Sequence, residues 1–340
     1  MATPYDGKRK AAAMKAICMT DTSGPQGLKL LERAQGPLGP EEVLVEVKAS
    51  ALNRADLLQT RGLYPAPFGV PADIPGLEFA GKVLHTGERT QRFQPGDRVM
   101  GLIGGGAWAE RLAVHEAELL PIPSHLSFAE AAAIPEAFMT AFDAMVLQGG
   151  LGRFGRLLIH AIGSGVGTAG LQIAKAMDCS VAGTSRTADK LEKAKALGLD
   201  VGVLVEEKPA KFANKLKAEW PGGAEVVLEL VGGHYVAESI LSMAPGGRLL
   251  LVGLLAGASA ELPLGAVLTK KVQLIGTTLR SRPLAEKILL ARAFSNSVLP
   301  LFEKKMLWPV VAKTCAFSEV ATALSEISKN DFFGKIVLEW

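Results

Sequence analysis

Residues 156–186, RLLIHAIGSGVGTAGLQIAKAMDCSVAGTSR, constrain this chain more than any other stretch. Leu157, Leu158 and Ile159 form a short apolar run typical of a buried parallel strand, and Gly163, Gly165 and Gly167 then let the backbone turn tightly and approach a ligand closely. The helix expected next opens with unpaired N–H groups at the positive end of its dipole, which suits an anion without any basic side chain. A second strand follows at residues 181–184, completing a βαβ unit. Gly165-Val166-Gly167-Thr168-Ala169-Gly170 has the G-x-G-x-x-G spacing of a dinucleotide turn, with Ser164, Gly165, Val166, Gly167 and Thr168 against the phosphates. The same spacing also fits a tight strand-to-helix turn that holds no ligand.

An apolar fraction of 49% in 340 residues supports a large core, and the length favours two domains over one. Lys and Arg total 37 against 34 for Asp and Glu, a net charge of +3 that points neither to nucleic acid nor to an acidic substrate. Cys18, Cys179 and Cys315 are odd in number, far apart and free of C-x-x-C spacing, so they suggest neither a disulfide framework nor a zinc site. A reducing compartment is the natural reading, and the cytoplasm is the expected location. The most apolar stretch, residues 249–260, is about half of a bilayer span and is closed by Glu261, so no membrane span is expected. Residues 1–13 carry Lys8, Arg9 and Lys10 with Asp6 and no apolar h-region, which fits a solvated, flexible extension better than a secretory signal.

Residues 42–48, EVLVEVK, alternate as a half-buried strand does, and Pro and Gly cluster over 62–76 and at Pro95-Gly96-Asp97. The first third therefore reads as compact and mostly β. From Phe128 the texture becomes alanine-rich helix, FAEAAAIPEAFMTAFDAMVLQGG. Beyond residue 156, apolar strands at 181–184, 226–230, 249–252 and 272–277 alternate with helical sequence, the pattern of a parallel sheet covered on both faces. A helical segment, LAEKILLARAFSNSVLPLFEKK, leads to short strands near Val310 and a last apolar run at Ile336, Val337 and Leu338.

Five segments, ALNRADLLQTRGLYP, IPGLEFAGKV, AAAIPEAFMTAF, HAIGSGVGTAGLQIAK and FFGKIVLE, resemble the quinone oxidoreductase (zeta-crystallin) group of the medium-chain dehydrogenases/reductases. The likeness spans nearly the whole chain from Met14. Asn53-Arg54-Ala55-Asp56, the AAAIPEA block and Leu279-Arg280-Ser281-Arg282 are most similar to the animal branch linked to apoptosis and oxidative stress. The resemblance implies an α/β fold in which a doubly wound parallel Rossmann sheet, residues 139–280, is inserted into a GroES-like, mostly β catalytic domain made of residues 1–138 and 281–340. Zinc-dependent relatives have a cysteine where this chain has Asn53 and a histidine where it has Leu77. They also carry a four-cysteine lobe, for which there is neither cysteine nor room between Gly81 and Trp108. With no thiolate and no imidazole at those positions, no catalytic zinc is expected.

An NAD enzyme typically ends its second Rossmann strand with Asp or Glu, which accepts the ribose hydroxyls. Here the strand ends Gly183-Thr184-Ser185-Arg186-Thr187, so Arg186 can grip a 2′-phosphate in a fork while Lys190, one turn further, adds a point charge. NADPH is therefore the expected cofactor. The same two residues also read as solvated charges at a helix start, and Asp189 adds a negative charge beside them. The resemblance places a lysine at position 190 on the 2′-phosphate, whereas the tyrosine that often stacks near it is Val205 here. It also assigns Thr140, Gly232, Gly253, Leu279, Arg280, Ser281, Gly334 and Lys335 to the cofactor.

The chemistry rests on three further residues. Tyr64, in Gly62-Leu63-Tyr64-Pro65, matches a tyrosine that lines the substrate site, where a phenol hydrogen-bonds a carbonyl oxygen gaining negative charge. It also reads as a turn tyrosine packed for its ring. Asn53 and Asp56 match polar residues bordering the nicotinamide, and Asp56 equally fits a cap on the helical turn that follows. A second phenol found in some relatives is Leu58 here. His85, His115, His125, His160 and His234 show no metal-ligand spacing, so structural or surface roles are expected. Ser164 lacks the preceding glycine of G-x-S-x-G, and there is no G-x-x-x-x-G-K-[ST].

The resulting expectation is a zinc-free NADPH:quinone oxidoreductase whose partner is a small quinone or another conjugated carbonyl. An enoyl-thioester or alkenal reductase is the alternative within enzymes, and an NADPH-binding protein with a partner or RNA role is the alternative outside them. The apolar strand at 272–277 would expose its edge to a twofold copy, so a homodimer is expected.

Overall fold

A computed structural model describes residues 13–340. The basic extension with Lys8, Arg9 and Lys10 lies outside the described residues. The chain forms two compact units. One runs through Glu136 and resumes at Arg280–Glu303 and Pro309–Trp340; the other is Ala137–Leu279 with Lys304–Trp308.

Seven strands come first: β1 (Ala13–Met19), β2 (Leu28–Ala34), β3 (Glu42–Ala51), β4 (Glu78–Thr86), β5 (Arg98–Leu102), β6 (Arg111–His115) and β7 (Leu119–Pro121). Six belong to the second unit: β8 (Arg156–Ile159), β9 (Ser180–Ser185), β10 (Val201–Leu204), β11 (Ala224–Glu229), β12 (Met243–Leu251) and β13 (Gln273–Gly276). Two return to the first, β14 (Val311–Ala316) and β15 (Lys335–Glu339).

In the first unit β1 pairs with β2, and a second sheet runs β14-β15-β3-β4-β5-β7 with β6 also on β3. The EVLVEVK alternation turns Val43, Val45 and Val47 inward, where they pack with Phe79, Val83 and Val99. Every pair in this sheet is antiparallel except β14 with β15. The C-terminal strand β15 joins β3 through Val337 opposite Ala51, which brings residues some 280 positions apart to one edge.

All five pairings in the second unit are parallel, in the order β10-β9-β8-β11-β12-β13. Chain order therefore reverses direction between β8 and β11. That reversal opens a crevice beyond the carboxyl ends of the two strands, the place where open α/β sheets bind ligands. Leu158, Ala182, Val227 and Leu249, one from each of four neighbouring strands, are buried together.

Two details depart from the sequence reading. The alanine-rich helix begins on a Ser127/Glu130 capping box but divides into Phe128–Ala132 and Pro135–Phe142, because Pro135 has no N–H to continue the first ladder and restricts the residue before it. Lys304–Trp308, assigned by the resemblance to the GroES-like domain, groups instead with the Rossmann unit, where the Trp308 N–H donates to Gln172 Oε1 at 2.9 Å.

Candidate functional site

The turn after β8 is built by its own backbone. The Ile162 N–H donates to the Thr184 carbonyl at 3.0 Å, tying the turn to β9, and the Gly167 N–H donates to Ser164 Oγ at 3.0 Å, so Ser164 caps the helix Gly165–Ala176. A Cβ on Gly167 would lie 2.6 Å from the Ala161 carbonyl oxygen and 2.7 Å from that of Ile162. Only glycine fits there. The N-terminus of a twelve-residue helix, a serine cap and a turn with no room for a side chain together fit a dinucleotide phosphate.

The loops after β11 and β12 meet at the same sheet edge. Gly232 has φ +68°, and a Cβ on it would lie 3.0 Å from the Gly253 carbonyl oxygen. Beneath this edge sits a fully buried polar network that was not anticipated. His160 ring nitrogens lie 2.9 Å from Thr184 Oγ1 and 2.8 Å from Ser239 Oγ. Glu229 accepts the Val231 and Gly232 N–H groups at 2.9 Å each and the Ser239 hydroxyl at 3.0 Å. Burial pulls the His160 imidazole down and the nearby Glu229 carboxylate partly offsets this, so a neutral, satisfied core histidine results. Its visible signal is Glu229, a carboxylate that follows the apolar run Val226-Val227-Leu228 of β11.

Arg186 is exposed just past the last residue of β9, and Lys190 is half-buried on the helix Ala188–Ala196. Asp189 pairs with Lys193 at 2.8 Å, which turns its charge toward another cation on the same helix. Val205 is buried. Thr140 is buried on Pro135–Phe142 and Val166 is half-buried in the turn. Leu279 ends the second unit, where the chain passes to Arg280 and the exposed Ser281.

The first unit holds a different kind of site. Asn53 precedes the helix Arg54–Thr60, and Asp56 at the third helical position accepts the Asn53 N–H at 2.7 Å and the Gly76 N–H at 3.2 Å. Asp56 is wholly buried and caps this helix, one of the two roles expected of it. Burial raises its carboxyl to about 7 against the pull of the Asn53 N–H, Lys335 and Arg280. A raised folded-state value means that this group favours the fold fully below the ordinary carboxylate range and loses that contribution as pH climbs through 7.

Lys335, expected on the cofactor, is a buried cation committed to its own unit. Its ammonium donates to Asn53 Oδ1 at 2.5 Å and Glu78 Oε1 at 2.6 Å, with Glu136 at 3.6 Å. Burial alone pulls this ammonium down, but Glu78 and Glu136 reverse the balance and hold it protonated. Asn53 is equally occupied, since its amide nitrogen donates to Glu78 Oε1 at 2.9 Å and to the Ala51 carbonyl at 3.3 Å. With both amide hydrogens used, Asn53 has none left to donate to a reacting oxygen. Gly334 has φ +99° and packs on the Val310 carbonyl at the β14–β15 edge.

Arg280, also expected on the cofactor, is buried and donates to the Gly104 carbonyl, the Tyr64 carbonyl and Gln59 Oε1. Its guanidinium carbon stands 5.0 Å from the centroid of the half-buried Tyr64 ring. Lys335 and Arg280 have one feature in common. A buried cation takes the acceptors its own unit supplies, and the sequence motif does not show which those are.

The comparisons with known proteins agree with this architecture. Residues 39–124 match the alcohol dehydrogenase GroES-like domain family and residues 165–295 the zinc-binding dehydrogenase family. Mouse quinone oxidoreductase-like protein 2 is 31% identical over 266 residues, covering 77% of this chain and 73% of that protein. The chain belongs to the medium-chain dehydrogenase/reductase superfamily. This superfamily binds a nicotinamide cofactor and comprises oxidoreductases. A quinone oxidoreductase structure from Pseudomonas syringae pv. Tomato DC3000 has a TM-score of 0.85 at 28% identity, covering 96% of this chain and all of that one. The spectinabilin polyketide synthase system protein NorB of Streptomyces orinoci is 31% identical over 90% of this chain, but the chain spans only 13% of its length.

The zinc that the second family description implies does not fit the residues present. Position 77 is a buried leucine, and Asn53 Oδ1 already receives the Lys335 ammonium at 2.5 Å. A cation bonded to that oxygen repels a divalent metal at the same place. Among the described residues, no group of three or more His, Cys, Asp or Glu side chains is gathered for a metal, and no helix is long and apolar enough to cross a membrane.

Proposed function

We propose that this chain is a zinc-free, NADPH-dependent reductase that passes reducing equivalents to quinones or related conjugated carbonyls. The observation that carries the reading is the half-buried Tyr64 phenol beside a buried guanidinium, in a unit whose metal-equivalent position holds an ammonium. When bound, the nicotinamide supplies a hydride. The turn at Ser164, Gly165, Val166, Gly167 and Thr168 holds the pyrophosphate, and Arg186 with Lys190 holds the 2′-phosphate. Tyr64 donates its hydroxyl hydrogen bond to the acceptor oxygen as negative charge grows there, and its proton completes the reduction. Steady-state NADPH oxidation against quinones, alkenals and enoyl thioesters tests the reading. The similarity to a polyketide synthase system protein keeps an enoyl thioester as the second acceptor to test.

The cofactor preference has its own test. Arg186→Ala and Lys190→Ala are each expected to weaken NADPH binding while leaving NADH binding nearly unchanged, because only the phosphorylated ribose meets these cations. Charge-assisted hydrogen bonds contribute roughly 1.5–3 kcal/mol, so the residue in direct contact should cost about tenfold or more in Kd by fluorescence titration. Equal losses for both cofactors would remove the specificity argument.

A homodimer and a cytoplasmic location belong to the same proposal. Strand β13 is the end strand of its sheet with Leu274 exposed, and the adjacent helix Leu264–Lys270 has no buried residue although it carries Leu264 and Leu268. An open strand edge flanked by exposed leucines is the kind of surface a twofold copy covers. Light scattering at micromolar concentration should give twice the chain mass, and Leu268→Asp with Leu274→Glu should give monomer. A monomeric parent protein would refute the dimer. The three buried free thiols suit a reducing cytoplasm.

A further inference from the structure

Arg280 is a buried cation whose direct hydrogen-bond acceptors are all neutral. Nε donates to the Gly104 carbonyl at 2.7 Å, Nη1 to the Tyr64 carbonyl at 2.9 Å and Nη2 to Gln59 Oε1 at 2.5 Å, with only 4% of the residue exposed. The carboxylate that acts on it is Asp56, whose oxygens are held by the Asn53 and Gly76 N–H groups. Burial leaves that group near its midpoint at neutral pH, so it is not a full counter-charge. A guanidinium held by neutral ligands in a low-dielectric site keeps its field. That field falls on Tyr64. The cation lies over the ring at 5.0 Å, and the same side chain fixes the Tyr64 main chain, so phenol and turn are clamped by one residue.

We propose that Arg280 is the positioning residue of Tyr64: it locks the turn that presents the phenol and stabilises negative charge on the phenol oxygen when the proton leaves. This rests on the reading of Tyr64 as proton donor. The need for such a device is physical. Burial pushes the Tyr64 phenol above its ordinary range, Glu136 pushes it further, and Arg280 is the charge that pulls it back. Without the guanidinium, a half-buried phenol facing a carboxylate is a poor acid.

The test combines titration with turnover. The chain has three tyrosines, so an ultraviolet titration referenced to Tyr64→Phe isolates this phenol. In Arg280→Met its midpoint should rise by about one pH unit or more. Gln59→Glu keeps the guanidinium but sets a carboxylate against it, and should move the midpoint the same way, so the charge is tested even if Arg280→Met does not fold. Both changes should lower kcat by about tenfold with Tyr64 present and by less than about twofold in the Tyr64→Phe background. Equal losses in the two backgrounds, or a titration that does not move, would overturn the proposal. If Tyr64→Phe alone leaves turnover intact, the donor reading fails by itself; the titration then decides the clasp, an upward shift supporting it and an unmoved midpoint refuting it.

Discussion

Glu78→Ala is expected to destabilise the protein by about 3–5 kcal/mol, because it leaves the Lys335 ammonium buried without its main counter-charge. Glu78 is wholly buried and accepts three hydrogen bonds, from Lys335 at 2.6 Å, from the Asn53 amide at 2.9 Å and from the Glu136 N–H at 2.8 Å. Its removal takes one acceptor from all three donors at once, leaving Lys335 only Asn53 Oδ1 and the Asn53 amide only the Ala51 carbonyl. The remaining carboxylate, Glu136, stands 3.6 Å from the ammonium and is too distant to replace it. Removing both charges is a different experiment. Glu78→Leu with Lys335→Met eliminates the desolvation of two ions together, so this double variant should recover most of the loss. Chemical denaturation of the single and double variants measures the difference. A single change costing less than about 1 kcal/mol, the range of a surface pair, would mean that the cluster is hydrated in solution.

Tyr64→Phe is expected to lower turnover about ten- to a hundredfold while the Kd for NADPH stays unchanged, the signature of an interaction made mainly in the transition state. The substitution keeps the ring that faces Arg280 and deletes only the hydroxyl. The proposed phosphate turn, residues 164–168, belongs to the other unit, so binding should not change. Stopped-flow oxidation of bound NADPH reports the chemical step directly. If that rate is unaffected, Tyr64 serves as a wall of the site, and a water molecule must supply the proton. Asn53 cannot inherit the role, because Glu78 and Ala51 already take both of its amide hydrogens.

The parts of this molecule that could be read from its sequence are those whose causes are local. The turn at Gly165 and Gly167 follows from a strand, three glycines and a helix in immediate succession, and Asp56 as a cap follows from its spacing to Asn53. Strand β10, Val201–Leu204, is interrupted by Gly202 and so lacks the unbroken apolar run that marks β8. Lys335, Asn53 and Glu78 meet only because β15 pairs with β3 and β3 with β4, and no window along the chain contains more than one pair of them. Arg280 lies in a motif that could be singled out, yet its partners are Gln59, Tyr64 and Gly104, each well over 150 positions away. The sequence marked the residue as special. Which acceptors surround the guanidinium, and hence what it does, is decided by the tertiary fold.

One assay of the purified full chain decides whether it is the proposed zinc-free NADPH-dependent quinone reductase. NADPH oxidation is measured in parallel with a quinone, an alkenal and an enoyl-CoA, each with and without a metal chelator, and repeated with NADH. The quinone is expected to give the highest kcat/KM, chelator to change nothing, and NADPH to be preferred to NADH. Oxidation confined to the enoyl thioester, or activity abolished by the chelator and restored by zinc, would contradict this proposal.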